Sequence, residues 1–576
     1  MASEAQATQT SSSVSGPRSD WHRWLYPLLL VLLCAVLYFW RLGLIPLEDF
    51  DEAYYAAGAR EMLARGDLGT PYYNGAPFLL KPILIYWIIA ASFRLLGTIE
   101  FAARAPSAFL GTAIVLLTYW FAAKTLNRRA AFLAGLALAL NYMWIDIARD
   151  ASIDIPLTAA ATSAMFLFFL APQAPPDRRR WLYLAAYPLF GAALLAKGPV
   201  PTGVVGVGLL AYLIATRRLK TTRREGQLLP GLVLMLAVAA PWYVYELRLH
   251  PEFWRIFFIG EHFGHIGGQL ARTEPWWGNL RYLLVFFLPW AAFLPAAYLH
   301  ALRKGTVRCA PAAGDDGADE GTACCAPTRF CAWWGLAVIV LFSIPKSKLA
   351  HYLAPAFPPL AILVGAWLDV WLTPVGPTSS RTRSTVFPFA LLGLVGAAVA
   401  AGAVIAVTLP PFAVRALARY DGWTPGIAPA IMLGALAVSF LAAAAAARWR
   451  RSVVVPALAA GMLVAGLVHV GWFKERWSLI QAQPRKNLAV YAAATLPADE
   501  PFGVYCAKRN STIFYLKRPL VDLGEWDPKE LVAFLSSPRP VTALTHEKVL
   551  AELTKAHCRF RVVKQDGAYV LVANHL

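Results

Sequence analysis

The chain has 576 residues, 58% hydrophobic and 15% charged, with a formal net charge of +19 and a mean hydropathy of +0.50. Soluble globular chains carry roughly a quarter charged residues, so this composition excludes an ordinary water-soluble domain. The basic excess does not point to nucleic acid either: Lys and Arg sit in short clusters between apolar runs, and no zinc-finger spacing or nucleic-acid module occurs.

Residues 1–22 are rich in Ser, Thr and Ala and read as a disordered cytoplasmic tail. No small-residue cleavage site follows the first apolar run, so that run is expected to stay as an anchor. Apolar runs then fall at about 24–45, 82–97, 104–124, 130–148, 154–171, 181–196, 199–216, 227–246, 281–302, 329–344, 353–373, 385–409, 426–447 and 453–473. The run from Pro82 to Gly97 is short, begins with Pro and carries Arg94.

Parity decides whether that run crosses. If it lies at the interface and the N-terminus is cytoplasmic, every strong basic cluster between spans falls inside: Arg128-Arg129, Arg178 to Arg180, Arg217 to Arg224, Arg303-Lys304, Arg381 with Arg383, and Arg448 to Arg451. If it crosses, all of them face outward, against the positive-inside bias. The expectation is therefore an α-helical polytopic membrane protein with about 13 transmembrane helices, each needing about 20 apolar residues, an inside N-terminus and an outside C-terminus. The transmembrane region occupies 23–473. Beyond it the long apolar runs stop, and residues 474–576 read as a small α/β domain outside the membrane, with strands near Phe502–Ala507, Val541–Thr545, Cys558–Val563 and Ala568–Val572. Cys506 and Cys558 are candidates to pair there, since an oxidising compartment permits disulfides.

The outer segments hold most of the distinctive polar residues. Asp51-Glu52 follows the first span, and a carboxylate there could act as a general base on an acceptor hydroxyl. Taken alone the pair reads equally as an acidic first helical turn. Lys81 at the head of the interfacial run could pair with a lipid phosphate or simply snorkel. Lys197, Arg149 and Lys348 invite the same two readings, and the helix-breaking Gly198-Pro199 aims Lys197 at the interface. Arg149 and Asp154 are expected to form an ion pair. Glu261-His262 lies among aromatics and suits a hydrogen-bonding or substrate-contact role; two adjacent ligands are too few for a metal site. Acidic and basic groups from distant parts of the chain thus converge on one membrane face, where ionisable residues tend to be functional. A cavity holding phosphate-binding cations and a carboxylate, open to lipid and water, suits moving a polar group from a lipid phosphate to a hydroxyl outside the membrane.

The order of motifs resembles the bacterial ArnT-like and protein-O-mannosyltransferase-like glycosyltransferases of the GT-C fold. The resembling pieces are Asp51-Glu52-Ala53-Tyr54-Tyr55, Lys81-Pro82, Arg104-Ala105-Pro106-Ser107, Arg149 to Asp154, Lys197-Gly198-Pro199, Pro241-Trp242-Tyr243, Gly260-Glu261-His262-Phe263, Pro289-Trp290 and Lys348-Leu349-Ala350-His351-Tyr352. The resemblance implies an inverting enzyme of the bacterial inner membrane with periplasmic interfacial helices. Such an enzyme takes a sugar, 4-amino-4-deoxy-L-arabinose in some members, from undecaprenyl phosphate to lipid A or another periplasmic glycan or protein acceptor. It implies Asp51 as the catalytic carboxylate and Lys81 beside the donor phosphate. It implies substrate contacts from Glu52, Tyr55, Arg149, Asp154, Lys197, Glu261, His262, Lys348, His351 and Tyr352. No cofactor is obligatory, although a divalent metal is compatible. The aminoarabinose transferases typically carry Asp-Glu-Thr-Arg-Tyr and Glu-Lys-Pro-Pro, where this chain has Asp51-Glu52-Ala53-Tyr54-Tyr55 and Leu80-Lys81-Pro82-Ile83. The differences fall beside Asp51 and Lys81, where substrate choice would be set. The rival readings are a protein O-mannosyltransferase-like enzyme, told apart by which molecule gains the sugar, and a transporter or flippase of lipid-linked sugars. A transporter would place polar groups at the midplane and often show internal repeats, and no clear repeat is visible.

Overall fold

The computed structural model describes residues 22–49, 51–261, 264, 273–302, 326–373, 382–408 and 428–575. Helix α1 (His22–Cys34) runs on through a π turn, Ala35–Phe39. Helix α2 (Asp51–Arg65) opens with Asp51 and Glu52, acidic residues of the kind a first helical turn favours. A hairpin of β1 (Tyr72–Tyr73) and β2 (Ala76–Pro77) turns at Asn74 and Gly75, at φ 55° and 82°. Asn-Gly favours that geometry in a two-residue hairpin turn.

Helix α3 (Leu84–Leu96) is the short apolar run read as interfacial. At about 1.5 Å per residue it is roughly 20 Å long, short of the ~30 Å hydrocarbon core. It packs against α2, with Tyr86 edge-on to Tyr55 at 5.7 Å.

The bundle follows: α4 (Glu100–Thr125), α5 (Arg128–Ala139), α6 (Tyr142–Ala148), α7 (Asp154–Leu170), α8 (Pro176–Lys197), α9 (Pro199–Ala215), α10 (Leu219–Glu225) and α11 (Leu228–Leu249). After a π-helical segment, Trp254–Glu261, come α12 (Gly278–Phe286), α13 (Leu294–Leu302), α14 (Ala326–Ser343), α15 (Phe357–Leu372), α16 (Thr382–Thr408), α17 (Ala428–Trp449) and α18 (Arg451–Val468). Among the described residues eight helices are long and apolar enough to cross a membrane, or up to 11 if each of three bent pairs is one span. The chain is a multi-pass membrane protein. The bent pairs are α5 with α6 (65°), α9 with α10 (117°), and α12 with the segment Trp290–Leu302 (111°). Asn127 and Asn141 start the two halves of the first pair by accepting the N–H of Ala130 and Trp144. The remaining crossings expected from the sequence, α1 and α8, fall outside that length and hydropathy criterion. Burial sorts the helices by surroundings. In the 18-residue apolar stretch of Ala350–Leu372, 89% of the residues are buried, against 17% in that of Leu228–Leu249, whose exposed Leu and Val side chains suit lipid.

The last part begins with α19 (Lys474–Thr495). It continues through β3 (Phe502–Val504), α20 (Arg509–Leu516), β4 (Val521–Asp522), α21 (Lys529–Leu535), β5 (Thr542–His546), α22 (Leu550–Lys555), β6 (Arg561–Asp566) and β7 (Tyr569–Ala573). The five strands form one mixed sheet in the order β4-β3-β5-β7-β6. Strand alternation splits its residues between two cores. Val570 and Val572 of β7 join Leu531, Leu535 and Leu553 in a local core. Tyr569 and Leu571 instead join Phe514 and Tyr515 in a core that continues into α2 and α3 through Tyr55, Ala56 and Ile89. Cys506 and Cys558 both pack on the local core, but they are free thiols. The candidate pairing is not formed here; partial burial raises both thiols above their usual range.

Candidate active site

One end of the bundle gathers charged side chains from five segments. Asp51 heads α2 with its side chain exposed. Lys81 precedes α3 and pairs with Glu261 at the end of the π-helical segment. Lys197 ends α8, where Gly198 reverses the chain at φ 96° before Pro199 starts α9. Only glycine takes that backbone readily, and the break directs Lys197 onto Asp154 at the start of α7, 2.5 Å away. The Lys197 ammonium also lies 4.5 Å from the ring centroid of Tyr352. His351, one residue earlier, places Nε2 3.8 Å from the second Asp154 oxygen.

These groups share one space. The charges of Asp51, Asp154 and Glu261 all act on Tyr55 and on Tyr352, and those of Asp154, Lys197, Asp51 and Lys81 act on His351. Burial first, then the carboxylates, pushes the Tyr55 phenol well above its usual range, so it stays a neutral hydroxyl. That hydroxyl has no hydrogen-bond partner among the described residues.

A cavity of about 280 Å³ lies beside the ion pairs. Lys81, Lys197, Glu261, Ser347 and Tyr352 line its polar part. Val200, Pro201 and Val204 of α9, Leu341 and Phe342 of α14, and Ile344 line the rest. Val200 and Ile344 are exposed on the outer surface of the bundle, so the apolar part reaches toward lipid. Among the described residues no group of three or more His, Cys, Asp and Glu side chains could hold a metal ion.

Residues 80–245 match the family model described as dolichyl-phosphate-mannose-protein mannosyltransferase. The undecaprenyl phosphate-alpha-4-amino-4-deoxy-L-arabinose arabinosyl transferase of Erwinia tasmaniensis is 30% identical over 454 residues, covering 76% of each chain. The chain belongs to this arabinosyl transferase family. The Aeromonas salmonicida relative of the same description is 33% identical over 350 residues, and the chain spans about three fifths (59%) of its length. The crystal structure of ArnT from Cupriavidus metallidurans bound to undecaprenyl phosphate superposes with a TM-score of 0.75 at 25% identity, covering 96% of this chain and 98% of that one. The GT-C, ArnT-like resemblance read from the motifs is thus borne out, as is the α-helical membrane fold with a small C-terminal sheet.

The residues singled out in the sequence divide into two groups. Lys81, Lys197, Glu261 and Tyr352 line the cavity, Asp154 and His351 adjoin it through Lys197, Asp51 and Tyr55 share the same electrostatic surroundings, and His262 lies outside the described residues. Three others are engaged elsewhere. Glu52 is buried, bound through both oxygens to Arg104 at 2.7 and 2.8 Å, and accepts the N–H groups of Glu48 and Ala151. Arg149 is buried and donates to the Leu37 carbonyl at 2.9 Å, not to Asp154. This corrects the expected Arg149–Asp154 pair: Asp154 turns to Lys197 because the α8–α9 break brings that ammonium to its helix start. Lys348 is buried and donates to the carbonyls of Glu274 and Pro345. Glu52, Arg149 and Lys348 are thus each engaged in bonds within the protein.

Sequence reasoning missed Arg104 as a site-building residue, although an Arg inside an apolar run is a signal of function. It also missed a polar knot in which Lys474 bonds Asp146 at 2.7 Å and Asp150 at 3.2 Å, while His469 reaches Asp146 at 3.4 Å and Tyr142 at 3.1 Å. Asp146 carried the same signal, an acidic residue in the run 130–148.

Proposed function

We propose that the protein is a polyprenyl-phosphate-sugar-dependent glycosyltransferase of the inner membrane. It transfers a sugar, 4-amino-4-deoxy-L-arabinose by kinship with its relatives, from undecaprenyl phosphate to a hydroxyl of lipid A or another periplasmic acceptor. The observation that carries this reading is the two-part cavity, with two lysines at one end and apolar walls toward lipid at the other. An isoprenyl chain fits between α9 and α14 and a phosphate between Lys81 and Lys197. An ammonium has three donors. With one spent on Glu261 or Asp154, each lysine keeps others for the phosphate.

Chemistry follows from that placement. Asp51 takes the proton of the acceptor hydroxyl as its oxygen attacks the anomeric carbon. The bond from that carbon to the phosphate oxygen breaks, the electron pair leaves with undecaprenyl phosphate, and the configuration inverts. Lys81 and Lys197 stabilise the charge that develops on the departing phosphate. Asp154 and Glu261 orient the lysines, Tyr352 backs Lys197, and Tyr55 and His351 offer hydrogen bonds to the sugar. No step requires a metal. The topology proposed with this reading has about 13 crossings, each of about 20 apolar residues, a cytoplasmic N-terminus and a periplasmic C-terminus. Residues 23–473 form the transferase region and 474–576 a periplasmic α/β unit; the tail expected over 1–22 lies outside the described residues except for His22, which opens α1.

The test is mass spectrometry of lipid A and periplasmic glycans from cells with and without the gene, repeated with Asp51→Asn and Lys81→Ala. Loss of one pentosamine increment from lipid A in the null strain and in both variants, with membrane insertion intact, is the expected result. Wild-type turnover by Asp51→Asn would remove the base assignment, and an increment on protein alone would favour the O-mannosyltransferase-like reading.

A further inference from the structure

The residues on either side of Asp51 are held by two different parts of the protein. On the membrane side, Arg104 binds Glu52 and the carbonyls of Leu42, Ile45 and Pro46. On the other side stands the C-terminal unit. Asp49, two residues before Asp51, accepts the backbone N–H of Ser511 at 2.9 Å and its hydroxyl at 2.9 Å, at the head of α20. Arg485 of α19 pairs with the same carboxylate at 3.2 Å. The Leu47 N–H donates to the Tyr515 hydroxyl at 2.8 Å. Asp49 and Ser511 are 462 residues apart in sequence, so only the folded C-terminal unit can supply these contacts.

Burial makes the arrangement informative. The side chains of Asp49 and Arg485 are each 6% exposed. A buried ion pair gains little or no net stability, because desolvation offsets the attraction; its better-attested use is to fix a register. Here it fixes a backbone. Asp49 is tied to the C-terminal unit and Glu52 to the bundle, and Asp51 lies between these two anchored carboxylates.

We infer that Asp49, Arg485 and Ser511 are positioning residues, through which the C-terminal α/β unit holds the Asp51 carboxylate in line with the acceptor hydroxyl. The inference rests on the reading of Asp51 as the base. The C-terminal unit is thereby a working part of the active site, without touching substrate.

The test uses the full-length enzyme in lipid nanodiscs, with undecaprenyl phosphate-linked 4-amino-4-deoxy-arabinose as donor and lipid A as acceptor. Misplacing a reacting group by about 1 Å costs on the order of a hundredfold, so Asp49→Ala should lower kcat by about 10–100-fold. KM for the donor should stay close to that of the wild type, since Lys81 and Lys197 are untouched. Asp49→Asn, which still accepts the Ser511 amide, should recover most of the rate. In an Asp51→Asn background, Asp49→Ala should change the residual rate by less than about twofold, because a residue acting only through Asp51 has nothing further to lose. A merely structural residue would lower that residual rate as well. If Asp49→Ala does not accumulate in membranes, Ser511→Ala and Arg485→Lys carry the same comparison. Wild-type kcat in these variants, or effects that multiply with Asp51→Asn, would overturn the inference. Full turnover by Asp51→Asn would overturn the base assignment and this role with it. An inactive Asp51→Asn beside a fully active Asp49→Ala would overturn the positioning role alone.

Discussion

Arg104 gives the sharpest stability prediction. All five guanidinium hydrogens are used: Nε on Glu52 at 2.7 Å, Nη2 on Glu52 at 2.8 Å and Pro46 at 2.9 Å, Nη1 on Leu42 at 3.0 Å and Ile45 at 2.8 Å. Arg104→Met keeps the apolar bulk and removes every bond. It leaves Glu52 as a buried carboxylate without its counter-ion, a loss of about 3–5 kcal/mol. It also uncovers three carbonyls, each costing about 1–3 kcal/mol if water cannot reach it. Glu52→Gln is milder, because the amide oxygen still accepts one Arg104 N–H and one backbone N–H, while the NH2 group faces the other two donors and the charge is lost. The expected order is Arg104→Met at about 5 kcal/mol or more, above Glu52→Gln at about 3 kcal/mol. The double variant should recover about 2 kcal/mol over Arg104→Met, since no orphaned carboxylate remains. Denaturant titration in mixed micelles, followed by tryptophan fluorescence, measures all three. Arg104→Met within about 1 kcal/mol of wild type, or no worse than Glu52→Gln, would refute the reasoning.

Three further outcomes are expected. Gly198→Ala forces a Cβ onto a φ of 96°, should cost about 1–3 kcal/mol in the same titration, and should lower transfer by displacing Lys197 from Asp154. Val204→Trp should fill the apolar part of the cavity, raising KM for the undecaprenyl donor in a radiolabel transfer assay while sparing a short-chain, water-soluble donor. Transfer should persist in EDTA, because Lys81 and Lys197 supply the positive charge that a Lewis-acid ion would otherwise provide; activity lost in EDTA and restored by Mg²⁺ would reject the metal-free step.

Several elements were legible in the sequence because their signals are local. The long apolar runs became helical, in one piece or, at 130–148 and 281–302, as two helices bent at a break, since every backbone polar group in lipid must be satisfied within the segment. The short run after Lys81 became α3, too brief to cross. Gly198-Pro199 announced the break that aims Lys197. In the C-terminal unit the expected strands near Val541 and Ala568 appear as β5 and β7, while β4 (Val521–Asp522) and α20 (Arg509–Leu516) went unrecognised. Both are short: β4 is an exposed two-residue edge strand, and α20 is buried by neighbours that the sequence does not reveal.

What the sequence by itself determined is the membrane class, the positions of the helices and the set of ionisable residues at one face, because hydropathy and charge need no partner to be read. Which cation meets which carboxylate was decided only by tertiary structure. Asp154 chose Lys197 over the nearer Arg149, Glu52 turned inward to Arg104 while adjacent Asp51 stayed exposed, and Asp49 found Ser511 across almost the whole chain. Charge attraction is unspecific in sequence and steep in distance. A pairing is therefore fixed only when packed helices bring two side chains within a few ångströms and exclude water from the alternatives.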